Sequence, residues 1–120
     1  MPIPQSIAVV VHEDDRGKLI SFEHVRPLPF TPVRFFLIYG VPQGAARAAH
    51  NVTCQQVLVA ATGACTLCWE VDGQSGQDRL ESPSKGVVVP KGCFIRLEDF
   101  QPGTVLVVAC DDIYEPRQQI

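Results

Sequence analysis

The sequence lacks the features that would point to a nucleic acid or a membrane as its partner. It has no basic excess, because 10 Lys and Arg stand against 13 Asp and Glu, and the net charge is −3. This balance argues against the basic surface that binding to nucleic acid requires. No apolar run reaches the roughly 18–20 residues needed to span a bilayer. We therefore expect no nucleic-acid partner and no membrane association.

Signals for secretion are also lacking. Residues 1–5 contain no basic region followed by an apolar one, so we expect no signal peptide. The cysteine count, five, is odd, and nothing indicates a secreted disulfide framework. Reduced thiols in the cytoplasm are the expected state.

A helical period is missing as well, and short apolar strands take its place. Gly and Pro turns separate the strands, and Asp72-Gly73 is a hairpin signal. Residues 12–17 are predicted to form a charged turn, and the polar residues 115–120 are expected to fray. The pattern predicts one all-β domain, residues 1–120, built as a sandwich or barrel. Strands are expected at 7–11, 19–25, 33–41, 50–62, 64–71, 77–81, 86–90, 93–97 and 104–110.

The segment 44–63 carries the most informative side chains. If it is a regular strand from His50 onward, alternate residues share one face. That face would carry His50, Val52, Cys54, Gln56 and Leu58. Polar groups among apolar neighbours are typical of a half-polar cavity wall, and Arg47 lies close enough to reach its mouth.

This segment resembles the first motif of the cupins, G(X)5HXH(X)3–4E(X)6G. The frame is filled in order by Gly44, His50, Val52, Gln56 and Gly63. The resemblance implies a jelly-roll fold.

The second cupin motif, PXG(X)2H(X)3N, is matched in spacing by Pro90, Gly92, Ile95 and Asp99. Three of the four metal-ligand positions are therefore changed, since Val52, Gln56 and Ile95 replace His, Glu and His. Valine and isoleucine offer no lone pair, and a neutral amide is a weak ligand. We expect no bound metal and no cofactor.

Within the cupins, the chain resembles the sugar-nucleotide 3,4-ketoisomerases of deoxysugar biosynthesis, which act on dTDP-4-oxo-6-deoxyglucose. The resemblance implies a metal-independent homodimer that binds a nucleotide sugar in the barrel. It rests on residues 15–19 with Glu23, on 29–30, 33–36 and 41–44 with Arg47, and on 56–59, Gly63 and 98–100.

The family reaction is a proton shuttle from C3 to C4 through an enediol, which suits imidazole near neutral pH. The resemblance implies a His pair in a H-A-H run and a tyrosine on the preceding strand. His50 matches one His, whereas Asn51 or Val52 occupies the place of the other. The tyrosine position falls near Phe36 to Tyr39, with the register left open.

We therefore predict His50 as the catalytic residue and four residues as substrate-binding: Arg47, Gln56, Tyr39 and Arg34. Arg47 would pair with a diphosphate, as arginine does bidentately, or is a surface charge. The alternative function is a non-catalytic sugar-nucleotide-binding or assembly module that has lost the full His pair.

Two further expectations concern cysteine and assembly. Cys54 could act as a nucleophile only if its pKa were lowered, and is otherwise a small buried apolar residue. The strand at 7–11 is apolar on both faces, which favours a covering partner and hence a homodimer.

Overall fold

Two antiparallel β-sheets face each other in the computed structural model, which describes residues 2–113. In chain order the strands are β1 (Gln5–Ala8), β2 (His12–Asp14), β3 (Gly17–Leu19), β4 (Glu23–His24), β5 (Pro27–Leu28), β6 (Arg34–Tyr39), β7 (Arg47–Asn51), β8 (Gln56–Thr62), β9 (Cys65–Val71), β10 (Gln74–Leu80), β11 (Lys85–Val89), β12 (Phe94–Glu98) and β13 (Val105–Cys110). One sheet has the order β1-β11-β8-β13-β6 and the other β10-β9-β12-β7. Within the described range there is no helix, and hence none that could cross a membrane.

The main hydrophobic core lies between these two sheets. Alternation along the strands turns one apolar set of each sheet inward. Leu58, Val87 and Leu106 from the five-stranded sheet pack against Leu67 and Ile95 from the four-stranded one, all at most 2% exposed. The predicted all-β sandwich is confirmed.

The five-stranded sheet is partly covered on its outer face too. Leu28 and Phe30 pack there against Val57, Val59 and Ala109. Strand β8 is therefore buried on both faces, which explains why its sequence is apolar without alternation.

The turns follow the chemistry of their residues. Asp72 and Gly73 both have positive φ, 48° and 76°, as the two-residue turn between β9 and β10 requires. Gly63, with φ 75°, ends β8 where the chain passes to the other sheet. There the Thr104 hydroxyl accepts a hydrogen bond from the Ala64 N–H at 3.0 Å.

The prediction of one regular strand from His50 onward is wrong. Strand β7 ends at Asn51 and β8 begins at Gln56, and the two strands belong to different sheets. The intervening Val52 is held by backbone hydrogen bonds to the loop before β12, namely Val52 N–H to Cys93 O and Gly92 N–H to Val52 O, both 2.9 Å. The chain crosses between the sheets here, so His50 and Gln56 face each other instead of sharing one strand face.

The N-terminal third also differs from expectation. Residues 12–19 form a hairpin of β2 and β3, with Asp14 paired to Gly17, whereas residues 12–17 were predicted to form only a charged turn. The strand predicted at 19–25 is interrupted, and Val25 adopts φ 63°, which an extended strand does not allow. The predicted fraying at 115–120 concerns residues outside the described range.

Candidate active site

A small cavity lies between the two sheets. It has about 10 Å³ of free space, room for about one water molecule. Its wall is apolar apart from one imidazole and one carboxamide. The lining residues are Phe36, Ile38, Ala48, His50, Gln56, Leu58, Ile95, Leu97 and Val108.

His50 is brought to this wall by an irregular part of β7. It pairs with Ile95 of β12, beyond which the register shifts, and the nearby Ala48 has φ 60°. His50 is half-buried, and this burial lowers its pKa below the ordinary 6.5, while a hydrogen bond with the Ala48 backbone opposes the shift. At neutral pH the imidazole is therefore uncharged and able to accept a proton.

Gln56 is the polar group of the cavity wall that comes from the five-stranded sheet. It is the first residue of β8 and is only 2% exposed, between partners Val89 on β11 and Cys110 on β13. Its Nε2 donates to Cys54 Sγ at 3.8 Å. A buried amide held in this way has a fixed orientation toward the cavity, where it could hydrogen-bond a hydroxyl or carbonyl.

Arg34 lies behind the cavity wall. Its Nη2 donates to Cys110 Sγ at 3.3 Å, and its guanidinium lies 5.1 Å from the centre of the Phe36 ring. Phe36 itself lines the cavity. Arg34 therefore contacts the Cys110 thiol and one wall residue, Phe36, and it is not among the residues that line the cavity.

The other two predicted substrate-binding residues, Tyr39 and Arg47, are not among the residues that line the cavity. Tyr39 is 71% exposed at the end of β6. Arg47 is exposed at the start of β7, opposite Leu97. Of the five predicted site residues, the structure brings His50 and Gln56 together at one cavity. The roles assigned to all five stay predictions.

Neither candidate for the second His position offers an acid or base to the cavity. Val52 is buried and apolar. Asn51 is exposed, and its Nδ2 donates to Gly92 O at 2.9 Å. His50 is therefore the titratable group that remains at this wall.

The metal-ligand positions of the cupin motifs hold one good donor. His50 faces Ile95 across the β7–β12 ladder, and Gln56 is a neutral amide. Within residues 2–113, no three His, Cys, Asp or Glu side chains come close enough to hold a metal ion. The absence of a bound metal stays a prediction.

The hydrogen bond between Cys54 and Cys110 is a feature that the sequence does not predict. Cys54 was predicted to be a small buried residue, and it is 3% exposed, but its thiol is hydrogen-bonded to that of Cys110. The two residues are 56 positions apart, so no local pattern could pair them. Only the β8–β13 register places them together.

The fold defines a class of protein, the cupin-type jelly roll, and its inter-sheet cavity is lined here by one imidazole and one carboxamide. The chain belongs to the family described as FdtA: WxcM-like, C-terminal, whose model matches residues 4–120. The predicted family is thereby confirmed.

The chain is similar to several proteins that are named as 3,4-ketoisomerases or 3,4-oxoisomerases. The chain is 29% identical over 109 residues to TDP-4-oxo-6-deoxy-alpha-D-glucose-3,4-oxoisomerase of Aneurinibacillus thermoaerophilus, covering 89% of this chain and 78% of that protein. It is similar to a 3,4-ketoisomerase from Helicobacter canadensis, with TM-score 0.90 and 25% identity over 98% of this chain and 89% of that one. The TDP-quinovose 3,4-ketoisomerase WlaRB of Campylobacter jejuni gives TM-score 0.82 and 26% identity over 98% and 91%.

Proposed function

We propose that this protein is a sugar-nucleotide 3,4-ketoisomerase that acts on a TDP-linked 4-oxo-6-deoxyhexose in deoxysugar biosynthesis. The family match over residues 4–120 and the named activities of the relatives support this assignment. The observation that carries it for this chain is His50, a half-buried imidazole with a lowered pKa on the wall of the inter-sheet cavity.

In the proposed reaction His50 acts as the base. Its neutral imidazole removes the proton from C3, next to the C4 carbonyl, and an enediolate forms with the negative charge on O4. The hydroxyl proton then passes from O3 to O4, and the imidazolium returns its proton to C4, which leaves the ketone at C3 and a hydroxyl at C4. Since neither Val52 nor Asn51 supplies a second acid or base, one imidazole performs both transfers.

Gln56 has a supporting role in this proposal. Its buried carboxamide lies on the same cavity as His50 and is tethered by the hydrogen bond to Cys54. We assign to it the orientation of the substrate carbonyl or hydroxyl, because a hydrogen bond in a dry site strengthens as the oxygen gains charge.

A hexose is much larger than the present cavity of about 10 Å³. Substrate binding therefore requires the wall side chains to separate, and the nucleotide must remain outside. Arg47 is exposed on the same strand as His50. We propose that Arg47 binds the diphosphate there by charge-assisted hydrogen bonds.

The alternative is a binding or assembly module without catalysis. The observations that favour it are the apolar replacement of two motif positions, Val52 and Ile95, and the narrow cavity. Such a module would bind the nucleotide sugar without removing a proton.

Proton exchange separates the two functions. TDP-4-oxo-6-deoxyglucose is incubated with the protein in deuterated water and followed by NMR, with protein-free solution as the control. The isomerase is expected to place deuterium at C3, whether or not product accumulates. Exchange no faster than in the control, together with measurable nucleotide-sugar binding, would establish the module instead.

A second measurement tests the single base. Substrate that carries deuterium at C3 is converted in ordinary water. Part of the deuterium is expected at C4 of the product, because the same imidazole holds it between the two steps. Complete loss of the label at every stage of conversion would contradict direct transfer by one imidazole, because the proton that reaches C4 would then come from solvent or from a second donor.

We also propose a homodimer and a cytoplasmic location. Phe35, Leu37 and Tyr39 are 52%, 56% and 71% exposed on the outer side of β6, an edge strand of the five-stranded sheet. An apolar edge strand of this kind favours a covering partner, and a second copy is the partner proposed here. All five cysteines are free, which supports a reducing compartment.

A further inference from the structure

A polar network extends from the cavity wall into the interior of the sheet. It consists of Gln56, Cys54, Cys110 and Arg34, and we refer to it as the thiol network. Gln56 Nε2 donates to Cys54 Sγ at 3.8 Å, the two thiols hydrogen-bond to each other, and Arg34 Nη2 donates to Cys110 Sγ at 3.3 Å. The two thiols thus lie in one network, between the Arg34 guanidinium and the Gln56 amide.

The network forms where three strands end together. Cys110 is the last residue of β13, and its partners are Arg34, the first residue of β6, and Gln56, the first residue of β8. The adjoining loop is fixed to the end of β13, because Gln55 N–H donates to Asp111 Oδ1 at 2.9 Å and Asp111 N–H donates to Gln55 O at 3.2 Å. These bonds hold Cys54 against Cys110.

The pKa values of the two thiols are shifted in opposite directions. The hydrogen bond from Cys110 lowers the pKa of Cys54 to about 6, helped by Gln56 and Arg34 and opposed by burial and by Asp111. The same bond and burial raise the pKa of Cys110 above its usual range. The pKa of Cys54 is thus lowered and that of Cys110 raised, and Cys54 is also the more accessible of the two, 3% exposed against 0%. A lowered pKa and greater access favour attack at Cys54, with Cys110 as the resolving thiol.

The remaining cysteines provide a contrast within the same chain. Burial raises the pKa of Cys65 to about 12 and also raises that of Cys93. The pKa of Cys68 is raised by burial and by its contact with Glu98, to which its Sγ donates at 3.3 Å. Cys68 is nevertheless the most exposed of the five. The most exposed cysteine, Cys68, is therefore not the cysteine with the lowered pKa, which is Cys54.

We propose that Cys54 and Cys110 are an oxidation site for hydrogen peroxide and other very small hydroperoxides, at which Cys54 is attacked first and Cys110 closes a disulfide. The Cys54 thiolate attacks the outer oxygen of the hydroperoxide, a sulfur–oxygen bond forms, the oxygen–oxygen bond breaks, and the alkoxide or hydroxide takes a proton from solvent. The Cys110 thiol then displaces hydroxide from the Cys54 sulfenic acid, and its proton leaves with that hydroxide as water. Sulfur is oxidised and the peroxide is reduced.

Access limits the oxidant to small molecules. Cys54 is 3% exposed and Cys110 is fully buried. Cys54 lies two residues before β8, Cys110 ends β13, and the adjoining Gln55 and Asp111 are half-buried. Local opening of this loop and strand end would give a small oxidant entry. The adjacent cavity has room for about one water-sized molecule. Hydrogen peroxide is only slightly larger than water.

The site is tested on the native protein by limited hydrogen peroxide at pH 7, followed by non-reducing peptide mapping. The Cys54–Cys110 disulfide is expected to form at least about tenfold faster than any oxidation of Cys68 or Cys93. Dithiothreitol should restore both thiols. Oxidation of Cys68 or Cys93 before Cys54, or no bond between Cys54 and Cys110, would overturn the proposal.

Variants establish the order of attack. Cys110→Ser is expected to stop at a sulfenic acid on Cys54, which dimedone traps, and Cys54→Ser should leave Cys110 a thiol. Cys93→Ser is the matched control, a buried cysteine outside the network, and should form the disulfide at the wild-type rate. Trapping on Cys110 in place of Cys54 would reverse the assigned roles and overturn the proposal. The wild-type mapping stands even if a variant does not fold.

Disulfide formation should also weaken the site proposed for isomerisation, because Gln56 loses the thiolate that accepts its N–H. This consequence rests on the proposed function. The disulfide itself does not, since mapping measures it without substrate. A disulfide without any isomerase activity would leave the oxidation site established and the isomerase assignment contradicted.

Discussion

His50 differs from the other histidines of the chain in its environment. His12 and His24 are exposed on short outer strands, whereas His50 lies half-buried on the inter-sheet cavity. Replacement His50→Asn is expected to abolish deuterium exchange at C3, because asparagine is polar but cannot titrate near pH 7. The NMR exchange assay measures this, with far-UV circular dichroism to show that the fold is kept. His24→Asn is the matched control and should keep full exchange, and equal exchange in both variants would refute the role of His50.

The lowered pKa of His50 also predicts a pH dependence of stability. Between the folded pKa and 6.5, the unfolded chain binds a proton on His50 that the native state does not bind. The free energy of unfolding contributed by this residue therefore rises with pH through that window and is constant above it. Urea titrations from pH 5 to 7.5 should show a smaller pH slope for His50→Asn than for the wild type. Equal slopes would contradict the burial of the imidazole.

Arg47 is the residue whose predicted role depends on charge. Arg47→Ala is expected to weaken TDP binding about tenfold, the order of one lost charge-assisted hydrogen bond, and to reduce the salt dependence of binding. Calorimetry at two ionic strengths measures both effects. Lys85→Ala, which removes an exposed charge on β11, is the control. If both variants bind alike, the diphosphate lies elsewhere.

At the scale of elements, two of the turns that follow strands depend on a glycine, Gly63 after β8 and Gly73 after β9. Gly63 and Gly73 both have φ near 75°, but their surroundings differ. A Cβ at Gly63 would lie 2.6 Å from Thr104 Cα, whereas nothing lies within 4 Å of one at Gly73. The first turn must therefore accommodate a close contact between two chain segments as well as a left-handed backbone.

Alanine substitutions at Gly63 and Gly73 separate the free-energy cost of the left-handed backbone from that of the close contact with Thr104. Gly73→Ala is expected to lower the free energy of unfolding by about 1–2 kcal/mol, the cost of the left-handed conformation alone. Gly63→Ala adds overpacking against Thr104 and should cost about 2–5 kcal/mol in total. Chemical denaturation gives both values. Equal losses would show that Thr104 moves aside freely.

For the whole molecule, the apolar outer side of β6 predicts the assembly. Leu37→Lys is expected to shift the protein from two chains per particle to one at micromolar concentration, since a charge there would be buried without a partner in the dimer. Multi-angle light scattering measures the shift. Phe94→Lys, 38% exposed on the other sheet, should leave the particle mass unchanged. A wild-type particle of one chain would reject the dimer outright.

The sequence by itself determined the all-β class, the position of most inner strands, the Asp72-Gly73 hairpin and the family. These features depend on local chemistry. Alternation and turn residues with positive φ are read within about ten residues, and the spacing of the first cupin motif within the segment 44–63. The bounds of β9, β11 and β13 accordingly fall within two residues of those expected.

Tertiary structure alone decided which side chains meet. His50 and Gln56 were expected on one strand, but they face each other from two sheets because the chain crosses over at Val52. The contact between Cys54 and Cys110, and that of Arg34 with Cys110, come from the register of β13 with β8 and β6. Register between strands distant in sequence is set by the packing of the whole core, so no local pattern contains it.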